Sequence, residues 1–149
     1  MALRAVVLLI AAVAVNAAIP VTPDATGACV GSYDTMKYDL RLCSELDGDL
    51  IVEHDLERPL PNLRLLGATL LVRGPVRTLA GLEGLMTVGG NVLIESTLLE
   101  TLGGLSSLAV VRGSIQLPSN TRLTSLHGAL LHILRRNATA PFFGGRQLT

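Results

Sequence analysis

Counted from Leu79, apolar residues fall at offsets of 3, 6, 9, 13 and 15, as Leu82, Leu85, Val88, Val92 and Ile94. The same offsets from Leu102 give Leu105, Leu108, Val111, Ile115 and Leu117. Two upstream frames miss only their first place, at Glu57 and Lys37. The remaining places hold Leu60, Leu63, Leu66, Leu70 and Val72, and Leu40, Cys43, Leu46, Leu50 and Val52. Of the 24 template places 22 are apolar, where a composition 49% apolar fills about 12 by chance. One repeat of about two dozen residues cannot bury its own apolar face, so the pattern predicts repeats stacked along one continuous core.

The last two offsets lie two apart. Leu50/Val52, Leu70/Val72, Val92/Ile94 and Ile115/Leu117 therefore each read as a short strand with two inward side chains. Stacked repeats bring these strands into a parallel sheet at a spacing of about 4.8 Å. The three-apart run before each strand fits either a tight helical turn or a second short extended side. A small residue precedes each strand, as Gly48, Ala68, Gly90 and Gly113. This column suits a solenoid corner where coils approach closely and some positions need positive φ. A phosphate-cradling role lacks its GxGxxG or GKS/T signature. Leucine-rich repeats share the period, but they enter the strand through spacings of three then two. Here the spacing is four then two, and the Asn three places past the strand occurs once, as Asn120. The expected fold is an all-β solenoid, a short parallel β-helix of about four coils, with a horseshoe as the second choice.

The N-terminus gives the compartment. Residues 1–17 read as a signal peptide: Arg4 is the basic region, Ala5 to Val15 the apolar region, and Val15-Asn16-Ala17 a small-residue cleavage site. A signal anchor is the alternative, although an apolar run of about 11 to 14 residues is shorter than the ~20 that span a bilayer. No second apolar span follows, so the expected product is secreted, without a membrane span in the mature chain. In an oxidising compartment Cys29 and Cys43, the two cysteines of the chain, are expected to form a disulfide, with two free thiols as the alternative. Asn137-Ala138-Thr139 is a glycosylation sequon. Twelve basic and twelve acidic residues cancel, leaving no field to attract nucleic acid.

Three stretches resemble a known family, the receptor L domain of growth-factor and insulin receptor ectodomains. Cys29-Val30-Gly31-Ser32, Cys43 and Gly48-Asp49-Leu50-Ile51-Val52 resemble its N-terminal cap and first strand. Leu82-Glu83-Gly84-Leu85 through Val88-Gly89-Gly90-Asn91-Val92-Leu93-Ile94 resembles a repeat. Ser119-Asn120-Thr121-Arg122-Leu123-Thr124-Ser125-Leu126 resembles the family's Asn-x-x-Leu-x-x-Leu segment. The resemblance covers Cys29 to Gly128 and implies a right-handed β-helix that recognises a protein or glycan without chemistry. It divides the chain into an N-terminal segment with the disulfide cap at 18–36, repeats at 37–128 and a degenerate or disordered tail at 129–149. The template continued from Leu123 gives Leu126, Ala129, His132, Arg136 and Ala138, so the array dissolves where further coils are expected. No kinase domain or cysteine-rich module accompanies it.

If Leu50 and Val52 point inward, alternation sends Ile51, Leu71, Leu93 and Gln116 outward, followed by Glu53, Arg73 and Glu95. An aliphatic stripe beside a column of alternating charge marks the expected ligand-binding face, open also to self-association through the stripe. The competing reading covers the stripe from within, by the segment Ala129 to Arg135.

A β-helix enzyme acting on polysaccharide needs paired acids on one face. Every Asp lies at or before Asp55, and downstream acids are the scattered Glu57, Glu83, Glu95 and Glu100. His54, His127 and His132 form no HExxH or Cys/His set, and Ser96, Ser106 and Ser107 lack a GxSxG elbow. The expectation is a binding module with no catalytic residue, metal or cofactor. A structural cell-surface or wall-associated protein is the alternative, and a polysaccharide-acting enzyme the remote one. In the tail, Leu130, Leu131, Ile133 and Leu134 before Arg135 and Arg136 suit a helix capping the last coil. The alternative is a truncated array with a disordered end at Pro141-Phe142-Phe143-Gly144-Gly145.

Overall fold

A computed structural model describes residues 18–126, residue 133, and residues 142–143 and 146–147. The expected signal peptide at 1–17, Asn137, His127, His132 and the rest of the Ala129 to Arg136 stretch except Ile133 lie outside the described residues.

Among the described residues the structure is built from short strands. In chain order they are β1 (Ile19–Pro20), β2 (Ala28–Val30), β3 (Tyr33–Asp34), β4 (Tyr38–Asp39), β5 (Glu45–Asp47), β6 (Leu50–Val52) and β7 (Leu65–Leu66). They continue as β8 (Leu70–Arg73), β9 (Thr87–Val88), β10 (Val92–Glu95), β11 (Val110–Val111), β12 (Ile115–Gln116), β13 (Phe142–Phe143) and β14 (Arg146–Gln147). Two five-stranded parallel sheets carry the fold: β3-β6-β8-β10-β12, here the front sheet, and β2-β5-β7-β9-β11, the back sheet. Each coil contributes one strand to each sheet and returns along an irregular third side, giving a β-solenoid of about five turns.

The spacing of the template explains each segment of a coil. Within the three-apart run an N–H donates to the carbonyl three residues before it, as from Leu63 to Leu60 (3.2 Å), Leu85 to Leu82 (3.0 Å) and Leu108 to Leu105 (3.1 Å). The run ends on the inward residue of the back sheet, Leu46, Leu66, Val88 or Val111. A tight turn and a second extended side are therefore both present, in succession. The four-residue step crosses the corner, and the two-apart pair is the front strand. All the apolar template residues are buried except Ile115, which is half-buried against the same core. Ile133 is also buried there.

Five turns replace the expected four because the first rung lies upstream of the template. β2 pairs with β5 and β3 with β6, so residues 28–34 form a coil within the segment read as a cap. That coil is shorter, 17 residues from Tyr33 to Leu50 in register, and its inward residues include Cys29 and half-buried Tyr33, so an aliphatic template misses it. The Cys29–Cys43 disulfide, with Cα atoms 5.8 Å apart, joins this coil to the turn before β5. At the far end the bridge from Thr101 to Ser125 sets Leu126 beside Leu102 and Leu123 beside Leu99, one step from the frame that starts at Leu123. In the tail, Phe142–Phe143 pairs antiparallel with Arg146–Gln147.

The small corner column is explained by close stacking. A Cβ at Gly90 would sit 2.8 Å from the Ala68 carbonyl carbon, and one at Gly48 would overlap the Gly31 carbonyl. Positive φ, expected at some of these positions, occurs in the column only at Gly48 (156°). The residue after each small one is polar and ties coil to coil. Asp49 N donates to Ser32 Oγ (3.1 Å), Thr69 N to Asp49 Oδ1 (2.8 Å) and Ser114 N to Asn91 Oδ1 (2.9 Å). Backbone groups at a corner have no strand partner, so side chains satisfy them.

Candidate recognition surface

Parallel register places the sequence-predicted residues side by side. Ile51, Leu71, Leu93 and Gln116 are partners across β6, β8, β10 and β12. They face away from the core, since the flanking Leu50, Val52, Leu70, Val72, Val92 and Ile94 are fully buried. Ile51, Leu71 and Leu93 are half-buried and Gln116 is exposed. The segment Ala129 to Arg135, expected as the competing cover of this stripe, lies outside the described residues apart from Ile133. At the β3 end the column closes on Asp34, the register partner of Ile51.

Two residues further along the strands stand Glu53, Arg73 and Glu95. Arg73 directs Nε (2.8 Å) and one terminal nitrogen (2.7 Å) at the same Glu53 oxygen, Oε1. The two side chains are 51% and 36% exposed, so the pair contributes below about 1 kcal/mol and chiefly fixes where the charges stand. Arg73 and Glu95 are register partners across β8 and β10.

Past this column the strands end in a bend, and a concavity of about 400 Å³ opens there, lined by Glu53, His54, Arg73, Gly74, Pro75, Glu95 and Ser96. The bend depends on left-handed backbone at Gly74 (φ 85°) and Ser96 (φ 52°). In a Ser this conformation costs on the order of 1 kcal/mol, tolerated where the surroundings impose it. Here the Ser96 N–H is held by the Pro118 carbonyl of the next coil (3.2 Å).

Thus the charged column and the stripe, both read from strand alternation, form one face, and His54, Gly74, Pro75 and Ser96 complete it. Hydropathy does not mark these four. The usable signal was positional, because they directly follow the predicted charged column. Among the described residues no group of three or more His, Cys, Asp or Glu is arranged to hold a metal ion, and no helix is long and apolar enough to cross a membrane.

Comparison with family models, with curated proteins and with solved structures finds no match for this chain.

Proposed function

We propose that this chain is a non-catalytic extracellular binding module, similar in kind to the receptor L domain, that recognises a protein or glycan partner through its front sheet. The observation that carries this reading is the continuity of three features on one face: the Ile51/Leu71/Leu93 stripe, the Glu53/Arg73/Glu95 column and the adjoining concavity. Apolar surface beside fixed charge is the composition of recognition surfaces, where burial supplies affinity and charge supplies register. The Cys29–Cys43 disulfide supports an oxidising, extracellular setting for it. The same stripe is the surface through which copies of the chain would associate.

The test is an array of defined extracellular proteins and glycans probed with the wild-type protein and with Leu71→Asp/Leu93→Asp. Retention of a defined partner by the wild type, lost in the folded double variant, supports the reading. Retention of none, or equal retention by the variant, overturns it.

A further inference from the structure

The concavity is unbalanced in charge. Glu53 is occupied by Arg73, which bonds it through two nitrogens. Glu95 stands on the other side of Arg73 in register. Its next neighbour along the column is Pro118, since Val92 and Leu93 pair with Ile115 and Gln116, and proline offers no cation. Among the described residues the ion pairs are Arg41–Asp39 and Arg73–Glu53. His54 also lines the concavity but stands in neither ion pair, so two carboxylates meet one guanidinium there and Glu95 is left without an ion-pair partner on a half-exposed side chain.

The apolar part of the face has a definite position relative to that charge. Leu93 precedes Glu95 by two residues on the same side of β10, and Leu71 lies beside Leu93. At about 3.3 Å per residue, roughly 6 to 7 Å separates the stripe from the carboxylate column. A group that satisfies both is an aliphatic stem of three or four carbons ending in a cation. Arginine and lysine side chains have this form, since each lays its methylenes on apolar surface and keeps its charged head polar. A planar guanidinium also matches a carboxylate with two parallel hydrogen bonds. Sugar rings call for a flat apolar platform, and no aromatic residue lines the concavity. Tyr33 and Tyr38 pack edge-on against each other with ring centres 5.1 Å apart, at the β3 end.

We infer that the front sheet receives a basic side chain of a protein partner, its stem across Leu71 and Leu93 and its cation at Glu95, on the rim of the concavity. This rests on reading the front sheet as the recognition face, and within that reading it selects a protein over a glycan. Arg73 then acts as an internal competitor that keeps Glu53 neutralised and leaves one carboxylate for the incoming cation.

The experiment is a titration of the isotope-labelled protein, followed by backbone amide shifts, with N-acetyl-arginine methylamide, N-acetyl-norleucine methylamide and chitotriose as separate probes. The arginine probe is expected to shift the amides of Arg73, Glu95 and Ser96, and to do so less at high salt. Glu95→Gln is expected to weaken that binding at least tenfold. Arg73→Met, which removes the competitor and frees Glu53, is expected to tighten it several-fold. Absence of arginine binding at these amides, binding unchanged in Glu95→Gln, or a site that prefers norleucine or chitotriose would each overturn the inference. If the arginine probe fails while the array still shows a partner lost on Leu71→Asp/Leu93→Asp, this inference falls alone. If both fail, the recognition face falls with it.

Discussion

Asn120 Oδ1 accepts two hydrogen bonds from Thr97, 3.1 Å from the backbone nitrogen and 2.7 Å from Oγ1, while Asn120 Nδ2 donates to the Ile94 carbonyl at 2.7 Å. Both residues are buried. One side chain thus satisfies two donors and one acceptor belonging to the preceding coil, and it stitches the final turn onto the stack. Replacing it with Ala strands all three groups away from water. Asn120→Ala is expected to cost about 2 to 4 kcal/mol, read as a lower urea midpoint. A loss below about 0.5 kcal/mol would show that the last coil is not held this way.

Two adjacent glycines separate close stacking from chain flexibility. A Cβ at Gly104 would overlap the Leu79 backbone, whereas one at Gly103 meets only Thr101 Oγ1 at 3.6 Å. Gly103→Ala is expected to stay within about 0.5 kcal/mol of wild type. Gly104→Ala is expected to cost about 2 kcal/mol or more through overpacking. Thermal denaturation of the pair checks the difference, and equal effects would contradict the stacking of these two coils.

The disulfide joins residues 14 apart in sequence, and both cysteines are 1% exposed. The chain-entropy model assigns such a loop about 3 kcal/mol. Cys29→Ala/Cys43→Ala is expected to lower unfolding free energy by about that amount, with the first coil losing amide-exchange protection before β8 and β10.

Asp39 and Arg41 form the other described ion pair, 2.7 Å apart. The Arg41 guanidinium beside Asp39 holds its carboxyl below the usual carboxylate range. A depressed folded-state value means that the pair stabilises fully above the unfolded carboxyl pKa near 4 and loses this as pH falls through the folded value. The wild-type advantage over Asp39→Asn, small because Arg41 is exposed, is expected to be flat from about pH 7 to 5 and to shrink below that. Urea midpoints of both proteins across this range test it.

Much of the architecture was legible because burial in a solenoid is periodic. Leu66, Leu70 and Val72 sit where their spacing put them, and alternation alone turned Leu71 and Arg73 outward. The corner ladder of Asp49, Thr69, Asn91 and Ser114 went unread although a polar residue follows every small one. Its bonds run from side chain to the backbone of the next coil, and hydropathy carries no record of those. The concavity was hidden for a related reason: Ser96 in left-handed backbone has no sequence signature, since any non-glycine residue there is held by its surroundings. The first coil escaped because Cys29 and Tyr33 stand at inward positions that elsewhere hold Leu or Val.

Recognition through the front sheet requires Leu71 and Leu93 to be surface, not core. The direct measurement is the urea unfolding of Leu71→Asp/Leu93→Asp beside wild type. A cooperative transition within about 1 to 2 kcal/mol of wild type is predicted, because these side chains give up only half-buried area. Loss of the transition would place the stripe inside the fold and remove the face on which the proposed recognition rests.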